Sequence, residues 1–253
     1  MKEKRPPLLC VDIGNTSVNY GIYSKSRFNS VHRVPTVNIP EFIHKIHEII
    51  HVNPNTCAII SSVVPKITQI LAKSIKQNLF IIGKNLEVPL KHNYSSLNKL
   101  GSDRQVNAFG GLRLYGSPLL ILDFGTALTC DYISKKGVFE GGLIIPGPEI
   151  AWEALIAKAA LLPKLTFPNS SRHTPLVGRN TKIGMQAGLL QGYAALADGL
   201  IEKFQAQFKA KPRAIATGGL ARAIFPYSSR IDILDPLLTL KSLVEIFHIK
   251  IPA

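Results

Sequence analysis

The chain contains one stretch of sequence twice. Leu8–Lys25 reads LLCVDIGNTSVNYGIYSK and Leu119–Lys136 reads LLILDFGTALTCDYISKK. Each begins with two leucines and two further apolar residues, reaches an Asp, an apolar residue and a Gly, and continues through small polar residues into a second β-rich stretch. That pattern is a buried strand, a tight turn and a returning strand, with Asp at the end of the first strand and Gly in the turn. Repetition of the whole hairpin implies two related halves facing each other.

An Asp that follows four apolar strand residues costs several kcal/mol unless a hydrogen bond, a cation or a ligand satisfies it, in the range of ~3 to 5. Two such residues at matching places, Asp12 and Asp123, suggest one kind of site. The following glycines let backbone approach a ligand, and Asn15, Thr16, Thr126 and Thr129 offer amide and hydroxyl donors suited to phosphate oxygens. The plain alternative is a pair of ordinary hairpins whose Asp-x-Gly segments only make turns. Duplication favours the phosphate reading.

Composition narrows the partners. The formal net charge is +14, with 15 Lys and Arg against 6 Asp and Glu up to Ser117 and 15 against 10 beyond it, so the charge is not confined to a tail. The basic residues are scattered singly apart from KEKR at the N-terminus. This is a generally basic surface that attracts anionic substrates rather than a nucleic-acid stripe. Cys10, Cys57 and Cys130 sit in apolar runs without metal-ligand spacing and read as buried, reduced thiols of a cytoplasmic protein. The basic N-terminus has only a brief apolar stretch before Asp12, unlike a secretory signal. Ile183–Ile201 contains Asp198, two Gln and four Gly, which argues against a membrane span.

Strands alternate with helices after the first hairpin. Phe42, Ile43, Ile46, Ile49 and Ile50 give Pro40–His51 helical spacing; CAIISSVV is a strand, Lys66–Asn78 a helix and LFIIG a strand. Asn93–Gly101 is a polar loop, and Ser102 with Gln105 three residues on has the form of a capping box opening a helix. The second half gives the repeated hairpin, GGLIIPG, a helix over Pro148–Leu161, a Pro-bounded loop and a long helix over Asn180–Phe208. AIAT and GGLARAIF then form a strand, a Gly turn and a helix. Gly184, Gly188, Gly192 and Ala195 lie along one side of the long helix, for internal packing or a dimer seam. The expected architecture is α/β, two domains with mixed sheets, residues 1–117 and 118–253.

His47–His51 spells HEIIH, the zinc-protease pattern, but His44, His47 and His51 fall opposite the apolar face and no convincing third ligand follows. Neither a G-x-x-x-x-G-K loop nor a G-x-G-x-x-G fingerprint occurs, so a nucleotide would have to be held by the two Asp-x-Gly hairpins. That arrangement is the one found in the actin-like and sugar-kinase superfamily of duplicated, ribonuclease H-like domains. Gly101-Ser102-Asp103-Arg104 is either a simple helix start or a receptor in which Arg104 meets a small carboxylate and Asp103 takes a hydroxyl proton.

Eight segments in order, DIGNT at Asp12, SSVVP at Ser61, GSDR at Gly101, DFGTALT at Asp123, GGLIIPG at Gly141, VGRNT at Val177, ATGGLA at Ala216 and DPLLTLKSL at Asp235, span almost the whole chain. In them the sequence resembles the type III pantothenate kinases, also called the Bvg accessory factor family. The resemblance implies ATP-dependent phosphorylation of pantothenate, the first step of coenzyme A synthesis, by a homodimer; the scattered charge and the hydropathy above add the expectation that it binds neither nucleic acid nor membrane. By that likeness Asp12, Ile13, Gly14, Asn15, Thr16, Ser17, Val18 and Asn19 form the first ATP phosphate loop, with Asp12 near Mg2+, and Thr126 contacts ATP from the second. Gly218 and Gly219 lie under the adenosine. Asp103 is the catalytic base; Gly101, Ser102, Asp103 and Arg104 bind pantothenate, with Tyr94 and Thr181 closing around it. Asp123 holds a monovalent cation, K+ or NH4+.

Three departures stand out: Ser242 replaces the family's usual Gly, Ala159 replaces a common Thr, and NYSSLNKL lacks the Pro often found before GxDR. The readings from other classes are a non-catalytic regulatory homologue of the same fold and a kinase for another small hydroxy acid. Retention of Asp12, Asp103, Arg104 and Asp123 argues for catalysis.

Overall fold

Both copies of the repeat fold as antiparallel hairpins. A computed structural model describes residues 6–75, 77–166 and 174–251. In the first copy β1 (Leu8–Ile13) pairs with β2 (Ser17–Ser24), placing Asp12 opposite Asn19, and β3 (Arg27–Pro35) continues the meander. The chain then runs through α1 (Ile39–Val52), β4 (Cys57–Ser62), α2 (Pro65–Ser74) and β5 (Leu79–Ile81). Because helical crossovers join them, β4 lies parallel to β1 and β5 parallel to β4. The sheet order is β3-β2-β1-β4-β5.

After α3 (Ser102–Tyr115), the second copy repeats this plan. Strands β6 (Leu119–Phe124), β7 (Ala127–Ile133) and β8 (Phe139–Pro146) form the meander. There follow α4 (Pro148–Lys158), α5 (Thr181–Phe208), β9 (Arg213–Thr217), α6 (Ala221–Ile224), β10 (Ile233–Leu234) and α7 (Leu238–Lys250). The order is β8-β7-β6-β9-β10, with β9 parallel to β6 and β10 parallel to β9. Position by position, the second sheet has the connectivity of the first. The fold is α/β, two units with matching mixed five-stranded sheets.

The central strands are buried on both faces, as strands covered by helices must be. In the first sheet Leu9, Val11 and Ile13 meet Phe42 and Ile46 of α1 and Ile67 and Leu71 of α2. Leu8 and Cys10 on the other face are equally buried, and α7 packs on this sheet against β1, β2 and β4. A close helix approach lies beneath: Gly110 of α3 abuts Ser242 of α7, and a Cβ on Gly110 would run into Ser242 Oγ, Cβ and Cα. In the second sheet Leu120, Leu122 and Phe124 meet Leu190, Ala194, Ala197 and Ile201 of α5. Tyr132 stacks on Phe208 at 4.0 Å between ring centroids.

By contacts the chain divides into one unit of Met1–Leu90, Ser95–Leu114 and Leu237–Ala253, and another of Lys91–Tyr94 and Tyr115–Pro236. Thus α7, last in the described sequence, belongs with the first sheet. The helix expected over Lys66–Asn78 ends at Ser74: Ile75 is extended, and Asn78 has φ 55° where the chain turns into β5. The helix expected to reach Leu161 ends at Lys158. The KEKR run and most of the Pro-bounded loop lie outside the described residues. His44, His47 and His51 are exposed, as the periodicity of α1 requires.

Candidate active site

In the first unit, two carboxylates are near enough to feel each other. Asp12, the one residue of β1 that is not fully buried, ends the apolar run. Burial pushes its carboxyl up to about 7, and the negative charge of Asp103 adds to the rise; a long bond from Asn19 Nδ2 to Oδ2, 3.5 Å, pulls the other way. Burial raises Asp103 as well, but the Arg104 N–H, 2.8 Å from Oδ1, and the Arg104 charge hold it down. Burial is the larger influence on both carboxyls, which are both raised, and the Asp103 charge adds to the rise at Asp12.

Asp103 and Arg104 occupy the first turn of α3, where the helix dipole favours an anion. Arg104 is buried. Gly101 makes room for the Asp103 carboxylate: a Cβ there would lie 2.5 Å from Asp103 Oδ1. The expected capping box is not formed. The Gln105 N–H donates to the Gly101 carbonyl at 3.1 Å, so Gly101 takes the cap position. The Gln105 side chain donates to the carbonyls of Leu97 and Leu100 at 3.0 and 2.8 Å, and the Ser102 hydroxyl turns to the end of β4. Tertiary partners outcompete the local cap.

The β1–β2 turn is closed by the Gly14 N–H donating to Ser17 O at 3.0 Å. Asn15 and Thr16 stand exposed at its tip, while Ile13 and Val18 send their side chains into the core, leaving only their backbone for a ligand. Thr36, just past β3, braces the turn: its hydroxyl donates to Gly14 O at 3.0 Å and its N–H to Thr16 O at 2.9 Å. Sequence reasoning missed Thr36, because nothing local marks a contact across twenty-two residues.

The second unit builds the corresponding turn. Asp123 is half-buried at the end of β6; the Gly125 N–H donates to Ala127 O at 3.1 Å, and Thr126 is exposed. Gly147, just past β8, braces this turn as Thr36 braces the first, its N–H donating to Thr126 O at 3.1 Å. Gly218 has φ 91°, and a Cβ on it would strike Asp123 Oδ1 and the Phe124 backbone. Only glycine allows the Gly218–Gly219 turn to lie this close to Asp123. Tyr94 rests on Phe139, ring centroids 5.9 Å apart, beside Gly141. Thr181 is exposed at the first position of α5, behind an Asn180 cap that accepts from Ile183 N at 2.9 Å. Beyond it on α5 the Gly184, Gly188 and Gly192 positions face open space rather than a neighbouring element.

Each unit thus brings an Asp to a strand end beside a glycine turn with exposed donors. The sequence model of the type III pantothenate kinases matches residues 8–203. The chain belongs to the type III pantothenate kinase family. It is 37% identical over 253 residues to the type III pantothenate kinase of Citrifermentans bemidjiense, covering 95% of this chain and 98% of the relative. With that of Bacillus cytotoxicus it shares 36% over 255 residues, 95% of each chain. Among solved structures, the fold is similar to a protein from Campylobacter jejuni described as a Baf family transcriptional activator, with a TM-score of 0.59 at 18% identity, covering 96% of this chain and 97% of that one. It is also similar to Listeria monocytogenes Lmo2764, described as an N-acetylmannosamine kinase, with a TM-score of 0.51 at 9% identity over 96% of this chain and 99% of that one. These structural likenesses place the type III pantothenate kinase chain in the sugar-kinase fold.

Proposed function

We propose that this chain transfers the γ-phosphoryl group of ATP to the hydroxyl of pantothenate, giving 4'-phosphopantothenate and ADP in the first step of coenzyme A synthesis. Membership of the type III pantothenate kinase family along most of the chain carries this reading. The paired Asp12 and Asp103 support it, because phosphoryl transfer needs an ionised base beside a place where phosphate charge is neutralised.

In the proposed mechanism Asp103 accepts the hydroxyl proton as the oxygen bonds to the γ-phosphorus and the bond to ADP breaks. Arg104 binds the pantothenate carboxylate, with Gly101 and Ser102 offering backbone and Tyr94 and Thr181 completing the pocket. The turn from Asp12 to Asn19 and Thr126 holds the phosphates; Gly218 and Gly219 underlie the adenosine. Mg2+ fits Asp12, since burial and Asp103 leave there a carboxyl that a double positive charge would ionise. When bound with ATP, Mg2+ neutralises phosphate charge. Among the described residues no three His, Cys, Asp or Glu side chains cluster, and a Mg2+ carried by phosphates needs only one or two carboxylates. A monovalent cation, K+ or NH4+, is assigned to Asp123 by the family resemblance; the strand-end carboxylate, with Gly125 and Gly218 letting backbone lie close to its Oδ1, has the hard oxygen chemistry such an ion takes.

We further propose a homodimer in the cytoplasm. Cys10, Cys57 and Cys130 are buried and none is in a disulfide, and no described helix is long and apolar enough to cross a membrane. Light scattering on the purified protein tests the dimer: a monomer mass refutes it. The reaction is tested with labelled ATP, pantothenate and Mg2+, in K+ and again in Na+. Product formed in K+ and much less in Na+ is expected; no product in either salt refutes the function, and equal rates refute the cation at Asp123.

A further inference from the structure

Ser102 adjoins the proposed base, yet its hydroxyl is wholly engaged by another strand. Its Oγ donates to Ser62 O at 3.0 Å, accepts from Ser62 N at 3.1 Å and lies 3.1 Å from Ser61 Oγ. A hydroxyl has one proton and two lone pairs. With the proton on the Ser62 carbonyl, the lone pairs take the Ser62 amide and the Ser61 hydroxyl, and none remains for a substrate. A second layer holds the strand end: Thr68 Oγ1 donates to Ser62 Oγ at 2.7 Å, and Ser62 Oγ accepts from Val64 N at 3.1 Å.

What this connects gives it meaning. β4 lies beside β1 with Ser61 paired to Asp12 and Ser62 to Ile13. The serines therefore join the strand ends carrying Asp12 to the helix start carrying Asp103. Ser61 is fully buried, so its hydrogen bond is made without competition from water. We propose that Ser102, with Ser61, is a positioning residue that fixes the Asp103 carboxylate relative to Asp12; this rests on the kinase reading above. A base displaced by about 1 Å loses on the order of a hundredfold in rate, so a staple next to the base controls turnover more than binding.

The test is steady-state kinetics of full-length wild type, Ser102→Ala, Ser102→Thr and Ser61→Ala, with circular dichroism to check folding and amide exchange followed at Ser62. Ser102→Ala should lower kcat roughly ten- to a hundredfold with KM for ATP little changed. Ser102→Thr, which restores the hydroxyl, should recover most of it, and Ser61→Ala, which spares both Ser62 bonds, should fall between. Exchange at Ser62 should quicken in Ser102→Ala and slow again in Ser102→Thr. Wild-type kcat in Ser102→Ala overturns the positioning role, as does a Ser102→Thr enzyme still impaired although Ser62 exchange is restored. If Ser102→Ala does not fold, wild-type kcat in Ser61→Ala overturns it instead. Failure of wild type to phosphorylate pantothenate strikes at the kinase reading and takes the positioning role with it, while Ser62 exchange still reports whether the staple exists.

Discussion

Replacing Asp12 with Asn should stabilise the cation-free protein at alkaline pH and do much less in acid. The Asp12 carboxyl titrates near about 7 when folded against an ordinary 3.8. Between these values the unfolded chain has released a proton that the folded chain keeps, so folded-state stability falls as pH rises through this window and the loss is complete above it. At about 1.4 kcal/mol per pH unit, the separation amounts to roughly 4 kcal/mol. Asp12 retains some solvent contact, which makes that figure a ceiling. Asn has nearly the same shape and cannot ionise. Urea unfolding of both proteins, followed by far-ultraviolet circular dichroism in EDTA at pH 5 and pH 8, measures the effect. The mutant should gain on wild type by an additional ~1 to 3 kcal/mol at the higher pH. A mutant-minus-wild-type difference that is the same at both pH values refutes the buried, Asp103-repelled carboxyl. Mg2+ with ATP should reverse the order at pH 8 by stabilising wild type alone.

Asp103→Asn should reduce kcat by about two to four orders of magnitude while the melting curve stays near wild type; unchanged turnover would remove Asp103 from the role of base. Gly110→Ala should destabilise the first unit by roughly 1 to 3 kcal/mol, because the new methyl meets Ser242 Cα as well as its side chain, and adding Ser242→Gly should recover part of the loss. Thermal denaturation of the single and double mutants decides this, and strict additivity would contradict the contact. Asp198 is raised by burial but lowered further by the hydroxyls of Ser228 and Ser229 and the amides of Ser229 and Arg230. Its stabilisation is present above the ordinary Asp range and lost as pH falls through its depressed folded value. Asp198→Asn should therefore cost about 1 to 3 kcal/mol at pH 7 and little near pH 2, and an equal cost at both would refute the ionised clamp.

The hairpins were legible because their signal is local: four apolar residues, an Asp, and a Gly where the chain must turn. Helix α1 was equally plain, since Phe42 and Ile46 recur at helical spacing. Strand β3 escaped notice because it is a sheet edge whose residues are mostly exposed, so burial imposes no alternation strong enough to read. The site divides the same way. Asp12, Asp103 and Asp123 are conspicuous as charges next to apolar runs or helix starts. Their neighbours are not: Ser61 meets Asp12 only through parallel pairing of β1 with β4, and Thr36 reaches Gly14 only because β3 returns along β2. Ser102 shows the cost of local reasoning, for a hydroxyl suited to capping its own helix found better partners forty residues away.

The return of α7 to the first sheet has a consequence for how the chain acquires structure as it is made. The second unit holds all its strands and helices once Pro236 has left the ribosome, whereas the first still lacks the helix that covers Leu8 and Cys10. The half begun first is completed last. Until then the first sheet lacks one of the helices packed on it, so apolar surface of its earliest-made strands stays available for non-specific contacts during synthesis.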